Sequence, residues 1–551
     1  MPMDDLRTDN IASKLSEVAL TQENDAGLIE AKTGNVLSFS QIDKRADQYA
    51  WYLQKSGVKA GDRVMLMVKP SADFICLTFA LFKLGAPVIL IDPGMGYKNL
   101  LRCVSTVAPV VFIGIPMAHL FVRIFRSRFD SIRQKFCCGN SFGVFGKDIR
   151  KASEDGYTAF PAYTPAPDDL AAIIFTTGST GPPKGVRYEH TVFSAQLRHI
   201  KSYYKIGQAD IDQPAFPLFA LFSTALGAYA VIPDMDPTKP AKVDPLKFVA
   251  SLEKYGVTYS FGSPALWKVV CEYCLRENRV LFTLQKILMA GAPVSGDLLK
   301  KLKKILPPTT EIHIPYGATE SLPIVSIEAR EILAETWHLT QRGKGTCVGR
   351  PLPGISIRII EIHDEKLATL NNDVFLGVDQ IGEIIVSGDV VTKAYDNNER
   401  ETELAKIQHD GRLWHRMGDI GFIDAQNRLW FCGRKAHRVQ TAGGVKFTIQ
   451  CEAIANNHPD VNRSALVGIS GGRGDRMTKI PVLILEKEHN CRRKEEDIID
   501  EVRQYCSASP LTKDIEIFLF HPKFPVDIRH NAKIFREKLA KWAETELEGK
   551  V

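Results

Sequence analysis

The chain has no uninterrupted apolar run near the roughly 18 residues that a membrane-spanning helix needs, so no span is expected. No apolar leader follows the polar start MPMDDLRTDNIASKL, and the eleven cysteines show no repeated pairing pattern. Together these point to reduced thiols in a cytoplasm. A strong charge of one sign is also missing: the net charge is only +6 over 551 residues, which does not suggest nucleic-acid binding, usually marked by a dense basic face. Internal repeats and low-complexity tracts are absent. The one close cysteine pair, Cys271 and Cys274 in ALWKVVCEYCLREN, has no second CxxC or histidine pair to complete a metal site. Trp267, Val270, Cys271 and Cys274 fall on one face at helical period, so a buried helix is expected there.

What is present is an ordinary globular composition, 45% hydrophobic and 24% charged, long enough for about three or four domain-sized units. RVMLMV (63–68), ADFICLTFALFKLG (72–85) and PVILID (87–92) read as strand, helix and strand. The rhythm recurs in VTYSFGS (257–263), the helix through Cys271, KILMAG (286–291), GDLLKKLKKIL (296–306) and EIHIPYG (311–317). Such alternation implies parallel sheets covered by helices. After about residue 350, strand follows strand, which predicts an antiparallel, barrel-like part at about 350–432. Beyond GRKAHR (433–438) the pattern becomes a smaller α+β unit. The expected division is therefore 1–433 and 434–551. VVFIGIPMAHLFVRIFRSRF (110–129) mixes apolar residues with Arg123, Arg126 and Arg128. It fits a helix on a membrane surface or one packed on the domain with snorkelling arginines, the second being the commoner arrangement.

The most informative stretch is IIFTTGSTGPPKG (173–185). An apolar strand runs into Thr176, Thr177, Gly178, Ser179, Thr180 and Gly181, then Pro182-Pro183-Lys184-Gly185. Glycines let backbone N–H groups turn towards an anion, four hydroxyls add donors, and Lys184 adds charge: a polyphosphate cradle in composition. It is not a Walker loop, because Pro183 precedes Lys184 and Gly185 follows it. GKGTCVG (343–349) is one residue too long for a dinucleotide fingerprint.

This loop resembles the signature of adenylate-forming enzymes: acyl-CoA synthetases, peptide-synthetase adenylation domains and luciferases. Further motifs follow in the family's order. YGATE (316–320), HRMGDIG (415–421), GRKAHRV (433–439) and NAKIFREKL (531–539) are similar to its core, ribose, hinge and catalytic-lysine segments, over roughly residues 30–545. The resemblance implies the adenylate-forming fold, a large domain of helix-covered sheets and a small mobile α+β domain, with ATP and Mg²⁺ as cofactors. It implies that the loop 176–184 holds the β- and γ-phosphates, Glu320 binds Mg²⁺ and Thr319 donates to the α-phosphate. Gly291-Ala292-Pro293 and Tyr316-Gly317 would flank the adenine, and Asp419 and Arg434 would take the ribose. Lys533 would bridge the substrate carboxylate and the α-phosphate. Each role suits a reaction in which two anions must meet.

The sequence also departs from the common pattern. Ala220 stands in FPLFALF (216–222) where acyl-CoA synthetases usually carry histidine, His437 stands at the hinge, and Gln440 replaces a lysine. Lys533 sits in RHNAK rather than Ser-Gly-Lys, further than usual from Pro525. These departures resemble the β-lactone synthetases of bacterial long-chain olefin biosynthesis. That resemblance implies a 2-alkyl-3-hydroxy fatty acid as substrate, closed by its own hydroxyl without CoA. It also implies a β-lactone decarboxylase and a ketoacid reductase as neighbouring enzymes. Phe216, Phe219, Phe222, Gly262 and Ser263 are expected at the acyl pocket, although core packing explains them nearly as well. His190 and His437 are the candidates for a general base. A long-chain acyl-CoA synthetase, a ligase loading an acyl carrier protein, and an inactive nucleotide-binding scaffold are the competing readings.

Overall fold

The computed structural model describes residues 10–152, 158–176, 181–367, 369–470, 478–489, 491–526 and 533–548. Two large sheets carry most of the chain. The first runs, in spatial order, Lys147–Asp148, Gln134–Cys137, Val111–Gly114, Val64–Met67, Val88–Leu90, Leu170–Phe175 and Gly185–Glu189. All its neighbours are parallel except the last two. The βαβ reading of residues 63–92 is matched closely. Ser71 caps the helix Ala72–Leu84, its hydroxyl accepting from Phe74 N at 3.2 Å, and the helix stops at Gly85. Beyond Asp73 and Phe74 in its first turn, this helix is apolar on almost every side and accordingly buried. Lys83, near its end, is neutralised by Asp43 at 2.7 Å and by Asp47.

The second sheet opens on an antiparallel edge strand, Val36–Ser38, and then runs parallel through Ala26–Glu30, Tyr229–Ile232, Ile211–Asp212, Tyr259–Gly262, Lys286–Met289 and Glu311–Ala318. It then turns antiparallel through Ser321–Glu328, Thr346–Pro351, Leu429–Arg434, Arg412–Ile423, Gly382–Ser387 and Ser356–Ile360. The antiparallel strands expected after residue 350 are therefore present, joined edge to edge to the parallel set. Beyond residue 438, a three-stranded sheet (Val461–Ser470, Lys479–Lys487, Ile517–Phe520) packs with the helices Thr448–Ala455, Glu495–Ser507 and Arg536–Glu548. Two apolar clusters there draw only on residues from 439 onward.

Cys271 and Cys274 lie in the helix Pro264–Arg276, buried beside Trp267 and Val270, and burial raises both thiols, to about 12 and about 11. Two expectations need correction. The helix read over 296–306 ends at Leu302, where turns lead into Pro307-Pro308. The segment 110–129 is not one amphipathic element: its β-branched start is the interior strand Val111–Gly114, and a helix begins only at Pro116, a residue suited to a first helical turn.

Candidate active site

The carboxyl ends of the parallel strands, and the point where the second sheet turns antiparallel, open on one cavity of about 2420 Å³. Crevices at such points are where open α/β sheets take ligands. Thr176, Gly181, Lys184, Gly291, Ala292, Pro293, Tyr316, Gly317, Thr319, Glu320, Asp419, Arg434 and Lys533 all line it. Phe216, Phe219, Phe222, Gly262 and Ser263 line it as well. Thr177, Gly178, Ser179 and Thr180 lie outside the described residues.

The phosphate-type loop joins two antiparallel strands, Leu170–Phe175 and Gly185–Glu189, and Thr176 N donates to Lys184 O at 3.0 Å across its base. A Walker loop opens a helix; this one returns as a strand, which accounts for the different placement of its lysine. Lys184 pairs with Glu401 and lies 5.0 Å above the ring of Tyr395.

Strand register assembles the next corner. Asp419 and Arg434 are cross-strand partners, so pairing alone brings carboxylate and guanidinium together, Oδ1 3.0 Å from Nη1. Tyr316 Oη donates to the other oxygen at 2.6 Å. Although in ion-pair contact, Asp419 Oδ1 accepts no well-directed hydrogen bond and is buried. Burial raises the Asp419 carboxyl against the opposing pull of Arg434 and the Tyr316 hydroxyl. A buried carboxylate with an unfilled acceptor at a cavity wall suits a diol.

Glu320 occupies the turn between Glu311–Ala318 and Ser321–Glu328. That hairpin is tight: a Cβ on Gly317 would meet Ser321 O at 2.5 Å, so the chain's own packing already requires glycine there. Gly291, at φ +96°, needs glycine for its backbone conformation. Tyr395 Oη donates to Glu320 Oε1 at 2.7 Å. Behind them Lys406 is half-buried, its ammonium hydrogen-bonded to Thr392 O. Burial pushes it down to about 7, with Glu320 and Glu189 pulling the other way. Lys533 reaches the same corner, its charge lowering Asp419.

The apolar end is aromatic. Phe219 stacks on Phe261 at 3.8 Å, and Phe216 and Phe222 stand about it with ring centroids at 6.0 Å each. Ala220 is fully buried in the helix Phe219–Ala225 and does not line the cavity. His190 does not line it either; it packs edge-on against Phe82 at 5.8 Å and burial lowers it to about 4. His437 does line it, with Nε2 buried and lacking a hydrogen bond. Burial, then Arg536 and Arg434, push its ring down to about 3. Tyr395 and Glu401 line the cavity without any motif having pointed to them, with Lys406 behind them, and Arg536 lines it from inside NAKIFREKL, where no role was expected of it. Only the pairing of distant segments, such as the bridge from Val186 to Tyr395, brings the first three close.

The strand-borne Lys184, the buried Asp419–Arg434 pair and Lys533 thus converge on one crevice. Residues 15–396 match the AMP-binding enzyme family, and the chain belongs to that family of ATP-dependent, adenylate-forming ligases. It is 41% identical to an olefin beta-lactone synthetase of Stenotrophomonas maltophilia over 98% of this chain and 99% of that protein. Against the olefin beta-lactone synthetase of Xanthomonas campestris pv. campestris the identity is 43%, over 92% and 91%. Among solved structures, the amide bond synthetase McbA from Marinactinospora thermotolerans superposes with a TM-score of 0.81 at 19% identity, covering 97% of this chain and 99% of that one. ATP-bound MatB from Rhodopseudomonas palustris gives 0.77 at 18%, covering 96% and 98%.

Proposed function

We propose that the enzyme adenylates a long-chain 2-alkyl-3-hydroxy fatty acid and closes it to a β-lactone. In the first step a carboxylate oxygen attacks the α-phosphorus of ATP and pyrophosphate leaves. In the second the 3-hydroxyl oxygen attacks the acyl carbonyl, the bond to AMP breaks, and the hydroxyl proton passes to a base and then to solvent. An attached hydroxyl acts at an effective concentration of up to about 10⁵–10⁸ M when well oriented, so no external thiol is needed.

The observation that carries this reading is the combination of the nucleotide corner (Asp419, Arg434, Tyr316) with an aromatic apolar end in one cavity, in a chain over 40% identical to lactone-forming relatives. Asp419 would accept from the ribose hydroxyls. Lys184, Thr176 and the loop would hold the outer phosphates, which would compete with Glu401 for the lysine. Lys533 and Thr319 would neutralise charge at the α-phosphate. Glu320 fits a hard cation: one oxygen holds Tyr395, and the other is available. No cluster of three or more acidic, histidine or cysteine ligands exists among the described residues, so Mg²⁺ would complete its shell with phosphate oxygens and water. The chain would divide into 1–433 and a small unit 434–551 carrying Lys533. A ketoacid reductase would supply the hydroxy acid and a β-lactone decarboxylase would consume the product.

The test is mass spectrometry of products from ATP, Mg²⁺ and a 2-alkyl-3-hydroxy acid, with and without CoA. The expected product weighs one water less than the acid, forms with AMP, and is indifferent to CoA. Stoichiometric consumption of CoA and a thioester from plain fatty acids would instead make this an acyl-CoA synthetase.

A further inference from the structure

The small net charge hides a concentration. Residues 97–135 hold two lysines and five arginines against Asp130 alone, a net +6 that equals the whole chain's. The remainder of the molecule is therefore neutral. All seven basic side chains are exposed.

The same surface carries an unusual share of exposed apolar groups. Of the fourteen large apolar side chains exposed among the described residues, six lie here: Tyr97, Met117, Leu120, Ile124, Phe142 and Val144. The helix Pro116–Ile124 buries Ala118, His119 and Val122 and leaves Met117 and Ile124 70% and 67% exposed, one face at helical spacing. Tyr97 joins that face by stacking on Phe125 at 6.2 Å. The loop with Phe142 and Val144 is tied to the helix through Phe145, 6.4 Å from Phe142 and 6.1 Å from His119. The patch also borders the cavity: Tyr97, Met117 and Phe121 belong to its lining. No described helix is long and apolar enough to cross a membrane, so any lipid contact here is superficial.

We propose that this face docks on an anionic lipid bilayer. The arginines and lysines meet lipid phosphates, Leu120, Ile124, Phe142 and Val144 enter the acyl boundary, and the cavity rim lies against the lipid. Apolar side chains with a basic surround suit an anionic interface; an acidic protein partner would need the charge but not the protruding apolar groups. The docking stands on the patch itself. Its use, to load an acid with two long chains directly from the bilayer, rests on the lactone reading above.

The experiment is flotation of the full-length protein with vesicles of phosphatidylcholine alone or mixed with phosphatidylglycerol, which needs no substrate and so fails or succeeds independently of the lactone reading. Binding to the anionic vesicles and not to the neutral ones is expected. Arg123→Glu, Arg126→Glu and Arg128→Glu together should lower the partition coefficient on the order of 100-fold, from about fivefold per basic residue. Leu120→Ser with Ile124→Ser should weaken binding at high salt, where the charges are screened. Thermal melts and pyrophosphate exchange with a short soluble acid should match the parent for both variants. No preference for anionic vesicles, or binding untouched by both sets of changes, overturns the proposal. So does a concentration-dependent oligomer that the same substitutions dissolve without any vesicle binding, which would assign the face to a second copy of the chain.

Discussion

Replacing Asp419 with asparagine separates nucleotide binding from folding. Asparagine keeps the shape and one acceptor but removes the charge that would face the ribose hydroxyls. A hydrogen bond to a charged group is worth about 1.5–3 kcal/mol. With two hydroxyls sharing the carboxylate and part of each bond retained, the loss should be about 2–4 kcal/mol, or about 30- to 1,000-fold in kcat/KM for ATP. Stability should move the other way. Burial holds the Asp419 carboxyl above its ordinary range even after Arg434 and Tyr316 have pulled it down. The folded protein thus keeps this proton longer than the unfolded chain does. Below the ordinary carboxylate range both states are protonated and there is no penalty; as pH rises from that range through the raised value, stability is lost. At neutral pH the native carboxylate is therefore a net cost to the fold, which Asp419→Asn removes. Pyrophosphate exchange against ATP concentration, with thermal melts at pH 5 and pH 8, measures both. The variant should melt at or above the parent at pH 8, with the gain shrinking at pH 5. An unchanged KM for ATP would place the ribose elsewhere, and a melt lowered by many degrees at pH 8 would make Asp419 a structural residue.

Lys533→Ala should cut acid-dependent pyrophosphate exchange by about 10²–10³ with ATP binding by calorimetry retained; near-full exchange would shift the role to another lysine, Lys538 first. Lys406→Met should raise the melting temperature most below pH 7, because burial holds the native ammonium down at about 7 while the unfolded chain titrates near 10.5. The native charge is a penalty below 7 that fades as pH climbs through that window, so a gain that grew with pH would contradict the assignment. His437→Ala should leave both exchange and lactone release within about threefold, because a ring held at about 3 by burial, Arg536 and Arg434 is too weak a base at neutral pH; a tenfold fall in lactone release alone would make it the proton acceptor. An equal fall in both steps would give it a role in docking the small unit.

The meeting of Tyr316, Asp419 and Arg434 was legible because each sits in a contiguous motif and strand pairing does the rest: YGATE turns a hairpin, HRMGDIG lies on one strand, and GRKAHRV starts at the end of its neighbour, so Asp419 and Arg434 meet by register. The second layer was not. Tyr395 bridges Val186 in a segment some two hundred residues away, and Glu401 reaches Lys184 from the helix Glu399–Ala405; no local pattern encodes either contact. Segment 110–129 misled for a related reason. The interior strand Val111–Gly114 and the surface helix Pro116–Ile124 are both apolar, and hydropathy alone does not mark the border between them. His190 illustrates the limits of residue type: an imidazole two residues after a strand tyrosine proved to be a core side chain.

Arg434 is the last residue of its strand, and the next residue, Lys435, is clamped to Glu383 at 3.0 and 3.2 Å and to His363 O at 2.8 Å. Arg434 and this clamp are thus covalent neighbours, both tied back to the large unit, through Asp419 and Glu383, while Lys533 lies almost a hundred residues further along the chain. A turn of the backbone beyond Lys435 would act like a door on its post. The leaf carrying Lys533 would sweep away from the acyl-phosphate, and the post holding the nucleoside would not move. AMP could then stay gripped from the moment it is made until the lactone ring closes, with the lysine present for the first event and withdrawn for the second.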